Sequence, residues 1–193
     1  MNPGFPEHPS FASQRERFLT AARAAGASLS EYPHPLRGPF DEHLSTDVAW
    51  LGDPKAKRVL VCLSGTHGVE GFYGSDCQIQ WLQTFTERNL PADVAVLMIH
   101  LINPWGTAWI RRVNEDNIDL NRNYLDFSQT LPDNQGYEAQ HEIYTCPQLK
   151  GTKRERADAL LNERVRAEGW SVVMSIVEAG QYRHPDGLFY GGN

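Results

Sequence analysis

His67 and Glu70 are the residues whose types and spacing best suit metal chemistry, and they lie in a glycine-rich stretch, residues 58–76. Residues three apart lie on one side of a helical turn, so this imidazole and this carboxylate can point at the same ion. An imidazole and a carboxylate, completed by a second histidine and a water, form a catalytic zinc site. The alternative is structural: His67 would cap a helix or bond locally, and Glu70 would be a solvated surface charge.

A polar segment further along the chain, residues 103–126, is dense in asparagine and arginine and has neither a helical nor a strand period. Irregular segments of this length are usually functional or disordered, and its tryptophans and tyrosine argue against disorder. An arginine beside an asparagine amide suits bidentate binding of a carboxylate, so Arg112 and Arg122 are candidates for anion binding. The alternative is a loop whose side chains only close turns. We prefer that alternative for Asn114, Asn117 and Asp119.

The elements around the first motif follow an α/β pattern. Residues 59–63 are apolar and predict a buried strand, and the glycines after it let the chain turn sharply. A helix is predicted over residues 75–88, and residues 94–101 predict a central strand buried on both faces. Strand, helix and strand in this order imply a parallel crossover. Open α/β sheets bind ligands at the carboxyl ends of their strands, which is where the motif falls.

The N-terminal part predicts one helix and one further strand. A helix is expected over residues 10–25, capped at its start and stopped by a glycine. Residues 28–46 are rich in proline and predict a loop with room for one short strand. Residues 47–51 predict a strand that neighbours residues 58–63 across a turn.

The C-terminal part is predominantly helical in pattern. Residues 136–144 predict a short helix, and residues 153–168 predict an amphipathic surface helix. Periodicity leaves residues 170–179 undecided between strand and helix.

Composition excludes two classes of partner. The 193 residues carry a formal net charge of −6, so no basic surface is expected for nucleic acid or an anionic membrane. No apolar run approaches the roughly 20 residues of a membrane-spanning helix, and the N-terminus lacks the features of a signal peptide.

The three cysteines have no paired short spacing, which indicates reduced thiols in a cytoplasmic protein. The sequence gives no indication of oligomeric state.

Three segments in order carry a family resemblance: SGTHGVEGFYGS, HLINPWGTAWIRRVNEDNIDLNRN and GQYRHPDGLFYGG. The first two resemble motifs of the zinc carboxypeptidase superfamily, the M14 metallopeptidases. The whole set is similar to one bacterial branch, the domain-of-unknown-function 2817 (DUF2817) proteins. The resemblance implies an α/β fold of the phosphorylase/hydrolase type, with a mixed, largely parallel sheet flanked by helices.

The resemblance also implies roles for individual residues. His67 and Glu70 would be ligands of Zn²⁺, and Asn121 and Arg122 would bind a terminal carboxylate of the substrate. Arg112 would act catalytically by polarising the scissile carbonyl, although its neighbour Arg111 is an open alternative for that role.

Two other hydrolase classes do not fit. A helical zinc protease needs H-E-x-x-H, and His141-Glu142 is followed by Thr145 at the second histidine position. A serine hydrolase of the nucleophile-elbow type needs the sequence G-x-S-x-G, and neither Ser64 nor Ser75 is flanked by glycines in that pattern.

The resulting expectation is a zinc-dependent hydrolase that cleaves a peptide or amide bond next to a free carboxylate. An N-acyl amino acid deacylase of the same fold is the alternative enzyme, so the expected partner is a peptide or an N-acyl amino acid. The superfamily's second histidine ligand and its glutamate base have no evident counterpart, and we do not favour His184 as a ligand. Residues 1–193 are therefore expected to be one catalytic-domain fragment of a longer enzyme. The chain as it stands would then be inactive, or an anion-binding domain without turnover.

Overall fold

The computed structural model describes residues 10–85 and 90–192. The chain divides into two compact units, Met1–Asn114 and Glu115–Asn193. The boundary falls inside the irregular polar segment that the sequence suggested as functional.

The first unit contains a four-stranded sheet. Its strands are β1 (Ser28–Arg37), β2 (His43–Leu51), β3 (Arg58–Leu63) and β4 (Val94–His100), in the spatial order β1-β2-β4-β3. Only β3 and β4 are parallel; β1 with β2 and β2 with β4 are antiparallel. The predicted mixed α/β sheet flanked by helices is confirmed, but this sheet is not largely parallel, because β1 and β2 form a hairpin.

The helices of the first unit are α1 (Phe11–Ala24), α2 (Gly71–Thr84) and α3 (Pro104–Ala108). The prediction of α1 is confirmed, and Ser10 caps it by accepting a hydrogen bond from the Ser13 amide at 3.1 Å. α2 begins four residues before its predicted start, since Gly71 and Gly74 lie within the helix and do not precede it. A Cβ on Gly74 would lie 2.9 Å from the Ser64 Cβ, so these glycines allow close packing against the loop. The helix ends at Thr84, before its predicted end at residue 88, because Phe85 is already extended; residues 86–88 lie outside the described residues.

The core of this unit forms where α1 and α2 pack on β2 and β4. Phe18 and Ala22 of α1 meet Ile79 and Leu82 of α2 and Met98 of β4, all of them buried. Each large side chain removed from water here contributes about 1.5–3 kcal/mol to the hydrophobic driving force. The two helices therefore fix the strands whose ends carry the candidate site.

Two sequence predictions about the strands are wrong. Residues 28–46 contain the long strand β1 and the start of β2 instead of a loop. β1 accommodates its prolines because it lies at the sheet edge and its register shifts between Pro33 and Arg37. β2 and β3 are not neighbours either, because β4 pairs with both and lies between them.

The burial of the two parallel strands also differs from the prediction. β3 lies at a sheet edge, and Leu60 and Val61 are 54% and 51% exposed. β4 is central, as predicted. Val96 and Met98 are buried on one face, and on the other face Ala95 is buried whereas Leu97 and Ile99 are only partly buried.

The second unit is helical. It contains a 3-10 turn (Leu120–Arg122) and the helices α4 (Gln135–Glu138), α5 (His141–Tyr144), α6 (Thr152–Glu168) and α7 (Trp170–Glu178). The predicted surface helix is confirmed as α6, and the predicted short helix is divided into α4 and α5. The undecided segment forms helix α7. None of the helices in the described part of the chain is both long and apolar enough to cross a bilayer.

Candidate functional site

The loop from β3 to α2 is tied to the carboxyl end of the sheet. The Ser64 amide donates to the Ile99 carbonyl of β4 at 3.1 Å, and the Ser64 carbonyl accepts from the Ile102 amide at 2.9 Å. The Ser64 hydroxyl also donates to Oε1 of Gln78 on α2 at 2.9 Å. The loop that carries the first sequence motif therefore starts from a fixed point.

Two glycines give this loop its path. Gly65 has a φ of +71°, a conformation that glycine adopts without steric cost. A Cβ on Gly68 would lie 2.0 Å from the Gly106 carbonyl carbon of α3, so only glycine allows this approach of two backbones. The Gly68 amide also donates to the Arg112 carbonyl at 3.3 Å. The loop is consequently held against the segment that follows α3.

The structure brings three of the predicted site residues together. Nδ1 of His67 lies 3.5 Å from Oε1 of Glu70, and NH1 of Arg112 lies 3.7 Å from the same oxygen. The His67 side chain is 15% exposed, whereas Glu70 and Arg112 are 62% and 39% exposed. An imidazole, a carboxylate and a guanidinium thus face one another at the end of a parallel strand.

The two potential donors fit zinc in type and spacing. Zinc bonds of about 2.0–2.2 Å in a tetrahedral site place two donor atoms about 3.4 Å apart, close to the 3.5 Å between His67 and Glu70. Within residues 10–85 and 90–192, no third histidine, cysteine, aspartate or glutamate completes a three-donor set with this pair.

His100, at the end of β4, has a role in the core. Its Nε2 is 2.8 Å from the Ser75 hydroxyl, and its ring stacks on Phe18 with centroids 4.1 Å apart. Burial, and secondarily the positive charge of Arg15, lowers the pKa of His100 to about 3. His100 is therefore neutral near pH 7.

An apolar groove adjoins the first motif. It has a volume of about 740 Å³, and Val69 and Phe72 from the motif region line it together with Trp109 and Ile110. Val69, Trp109 and Ile110 are 47%, 43% and 58% exposed, so the apolar lining of the groove is open to solvent. The groove can accept an apolar group.

Asn121 and Arg122 lie in the second unit, where Arg122 binds the end of α7. Its Nε and NH2 donate to the Glu178 carbonyl at 2.9 and 2.5 Å. Its guanidinium carbon lies 5.4 Å from the centroid of the Phe189 ring. A guanidinium at a helix C-terminus is favourable because the unpaired carbonyls there carry partial negative charge. The Asn121 side chain is exposed.

The neighbouring polar residues mainly hold the backbone, as the turn-closing interpretation predicted. The buried Asp119 carboxylate accepts from the Asn121 amide at 2.9 Å and so caps the 3-10 turn. Nδ2 of Asn117 donates to the Pro185 and Gly187 carbonyls at 2.7 and 2.9 Å. The second and third sequence motifs therefore pack on each other.

The second unit also contains a group of potential metal donors that sequence reasoning missed. His141 of α5, His184 and Asp186 each offer a donor atom, and these atoms all lie within 4.8 Å of one another. The H-x-D spacing of His184 and Asp186 was the sequence feature that could have indicated a metal site, but no local sequence pattern connects these two residues with His141. His184, which we did not favour as a ligand, is thus part of the three-donor group found in the described residues.

Comparisons with known proteins identify a family but no activity. No curated protein matches the chain. Among solved structures, a glutaminyl cyclase from Fimbriiglobus ruber is similar with a TM-score of 0.34 and 14% identity over 46% of this chain. A glutaminyl cyclase from Macrostomum lignano gives a TM-score of 0.35 and 14% identity over 53% of this chain. The chain spans only 36% and 35% of these two structures.

The family match covers nearly the whole sequence. Residues 8–193 match the family described as "Protein of unknown function (DUF2817)", and they include all three motifs, the whole second unit and all but the first seven residues of the first unit. The chain therefore belongs to the DUF2817 family.

Proposed function

We propose that the protein is a zinc-dependent hydrolase of the metallocarboxypeptidase type. The observation that carries this proposal is the convergence of His67, Glu70 and Arg112 at the carboxyl end of β3, with Glu70 Oε1 within 3.5 Å of His67 and 3.7 Å of Arg112. Open α/β sheets bind their ligands at such strand ends. The membership of the chain in the M14 superfamily is part of this proposal.

In this proposal, His67 and Glu70 hold the ion, and Arg112 is the catalytic residue next to the reacting carbonyl. Bound zinc supplies an activated water and polarisation of a carbonyl. The Arg112 guanidinium would donate hydrogen bonds to the oxyanion that forms, which is among the largest sources of catalysis in acyl transfer. Arg111 is the alternative for this role. The fixed glycine loop keeps the two ligands in place and so limits the cost of ordering them.

The proposed substrate has a free carboxylate and an apolar group. Asn121 and Arg122 are the proposed carboxylate-binding residues, because an amide and a guanidinium match the geometry of that anion. For this role, Arg122 exchanges its bonds to the Glu178 carbonyl for bonds to the substrate. The apolar groove next to the motif favours a large apolar group beside the cleaved bond. A peptide would place a side chain there, and an N-acyl amino acid would place its acyl chain.

We further propose that the protein acts in the cytoplasm. All three cysteines are free, although Cys77 is exposed and Cys62 and Cys146 are partly exposed. Thiols of this kind persist in reducing compartments.

Zinc binding and hydrolysis test the proposal together. We expect the full chain to bind zinc tightly and His67→Ala and Glu70→Gln each to weaken that binding strongly, as measured by isothermal titration calorimetry. The matched control is His43→Ala, since this exposed histidine pairs with Glu31 and lies outside the motif. Hydrolysis of peptides and N-acyl amino acids with apolar groups, with and without added zinc, then separates the two enzyme classes. Equal zinc affinity in wild type and both variants would refute the ligand assignment.

A further inference from the structure

The donor group in the second unit has the spacing of a metal site. Nε2 of His141 lies 3.5 Å from Oδ1 of Asp186, and the rings of His141 and His184 stack with centroids 3.8 Å apart. Two donors on a tetrahedral zinc ion are about 3.4 Å apart. Both histidines line a cavity of about 860 Å³, so an ion and a water have access to them.

Within the described part of the chain, the ring nitrogens of His141 make no short hydrogen bond. Its Nδ1 is buried and has no hydrogen-bond partner among the residues that the structure describes. Its Nε2 is 3.5 Å from Asp186, which is longer than a good hydrogen bond. Nε2, the ring nitrogen next to Asp186, is therefore the atom that an ion would bind, and it has no strong hydrogen bond to lose.

His184 is held in position before any ion binds. Its Nε2 lies 2.8 Å from Oε1 of Glu138, and its amide donates to Oε1 of the buried Gln181 at 2.7 Å. The following residue, Pro185, accepts a hydrogen bond from Asn117 through its carbonyl. A carboxylate bonded to one ring nitrogen orients a metal-binding histidine and raises the basicity of the other nitrogen. The loop therefore presents a fixed imidazole and, two residues later, a carboxylate.

We propose that His141, His184 and Asp186 form a second metal site, separate from His67 and Glu70, for a divalent ion of the zinc type. Two imidazoles and one carboxylate suit zinc, cobalt and nickel, whereas calcium and magnesium prefer all-oxygen sites. Binding of one ion by both rings requires them to tilt out of the stack, because the lone pair of each nitrogen lies in the plane of its ring. A water entering the adjacent cavity would supply the fourth ligand.

The role of this second site is structural. His141 belongs to the short helix α5, and the other two ligands belong to the loop after α7, so an ion would cross-link segments that are distant in sequence. An ion that binds only the folded chain stabilises it by mass action. Glu138 is a positioning residue that acts through His184.

The test uses the full chain with the first site removed by His67→Ala and Glu70→Gln. We expect this double variant still to bind one equivalent of zinc by calorimetry and to gain thermal stability when zinc is added. Adding His184→Gln should abolish both effects. Adding Glu138→Gln should weaken binding by about 10- to 100-fold, the usual effect of losing such a partner. Cobalt substitution gives an independent readout, since a tetrahedral site with nitrogen ligands absorbs visible light strongly.

Two results would overturn this inference. One is the absence of zinc binding in the double variant while circular dichroism shows that it is folded. The other is unchanged zinc binding after His184→Gln or Asp186→Asn. In the wild-type background His67→Ala should remove one of two equivalents of zinc, and loss or retention of that one equivalent bears on the proposed hydrolase site alone, so the two proposals fail separately.

Discussion

The side chain of Gln78 bonds to Ser64 and to two strands at once. Its Oε1 accepts from the Ser64 hydroxyl at 2.9 Å, and its Nε2 donates to the Cys62 and Ile99 carbonyls at 3.0 and 3.2 Å. One buried amide of α2 thereby joins the ends of the parallel strands β3 and β4 to the loop that carries the candidate ligands. The position of that loop depends on this network.

Replacing Gln78 by leucine should therefore destabilise the fold and weaken zinc binding. The change removes the partner of the Ser64 hydroxyl and one hydrogen bond to each of two strand carbonyls, of which the Ile99 carbonyl keeps its bond from the Ser64 amide. Each buried group left unsatisfied costs about 1–3 kcal/mol. Urea denaturation measures the loss of stability. Gln80→Leu is the matched control, because this residue is exposed on the same helix. Equal stability of the two variants would contradict the proposed role of the network.

Gly68→Ala should disturb the motif loop more than a change at its neighbour Val69. The added methyl would overlap the Gly106 backbone, and backbone cannot move aside as a flexible side chain can. Overpacking of this kind costs about 1–3 kcal/mol. We expect lower zinc affinity and a lower melting temperature than in Val69→Ala, whose side chain is half-exposed. Wild-type behaviour of Gly68→Ala in both measurements would show that the loop is not fixed in this way.

His100 should make stability depend on pH. Its pKa is lowered to about 3 in the folded state, from about 6.5 in the unfolded chain. Between these values the unfolded chain binds a proton that the folded chain does not, so the contribution is complete above about pH 6.5 and is lost as pH falls towards 3. The free energy of unfolding should fall by about 1.4 kcal/mol per pH unit from this group.

Urea denaturation at pH 7.0 and pH 5.5 measures this dependence. His100→Gln removes the titrating group, so the variant should show a smaller loss between the two pH values than wild type. Other groups that titrate in this range contribute to both proteins and cancel in the comparison. An equal loss in the two proteins would assign the pH dependence to residues other than His100.

Arg122→Ala should affect both the fold of the second unit and substrate preference. Loss of the two hydrogen bonds to the Glu178 carbonyl should destabilise the end of α7, by about 1.5–3 kcal/mol for a charged donor. The proposed role in binding predicts a separate effect, a rise in KM for substrates with a free carboxylate but not for their amidated forms. Stability loss with an unchanged preference between these substrates would leave Arg122 with the structural role alone.

The sequence by itself determined the features that depend on residues close in the chain. The i and i+3 spacing of His67 and Glu70 placed their side chains on one side of a turn, and the structure has them 3.5 Å apart. The helix cap at Ser10 and the strand formed by the apolar run of β4 could be predicted from the sequence for the same reason, since capping and strand burial are encoded locally.

Only the tertiary structure decided which distant segments meet. The insertion of β4 between β2 and β3 depends on long-range pairing that hydrophobic pattern does not specify, and it left the apolar β3 at an exposed edge. The meeting of His141 with His184 and Asp186 likewise depends on how the chain folds back after α7. Spacing along the chain predicts contacts within a turn of helix or a strand, whereas contacts between elements depend on the packing of the whole unit.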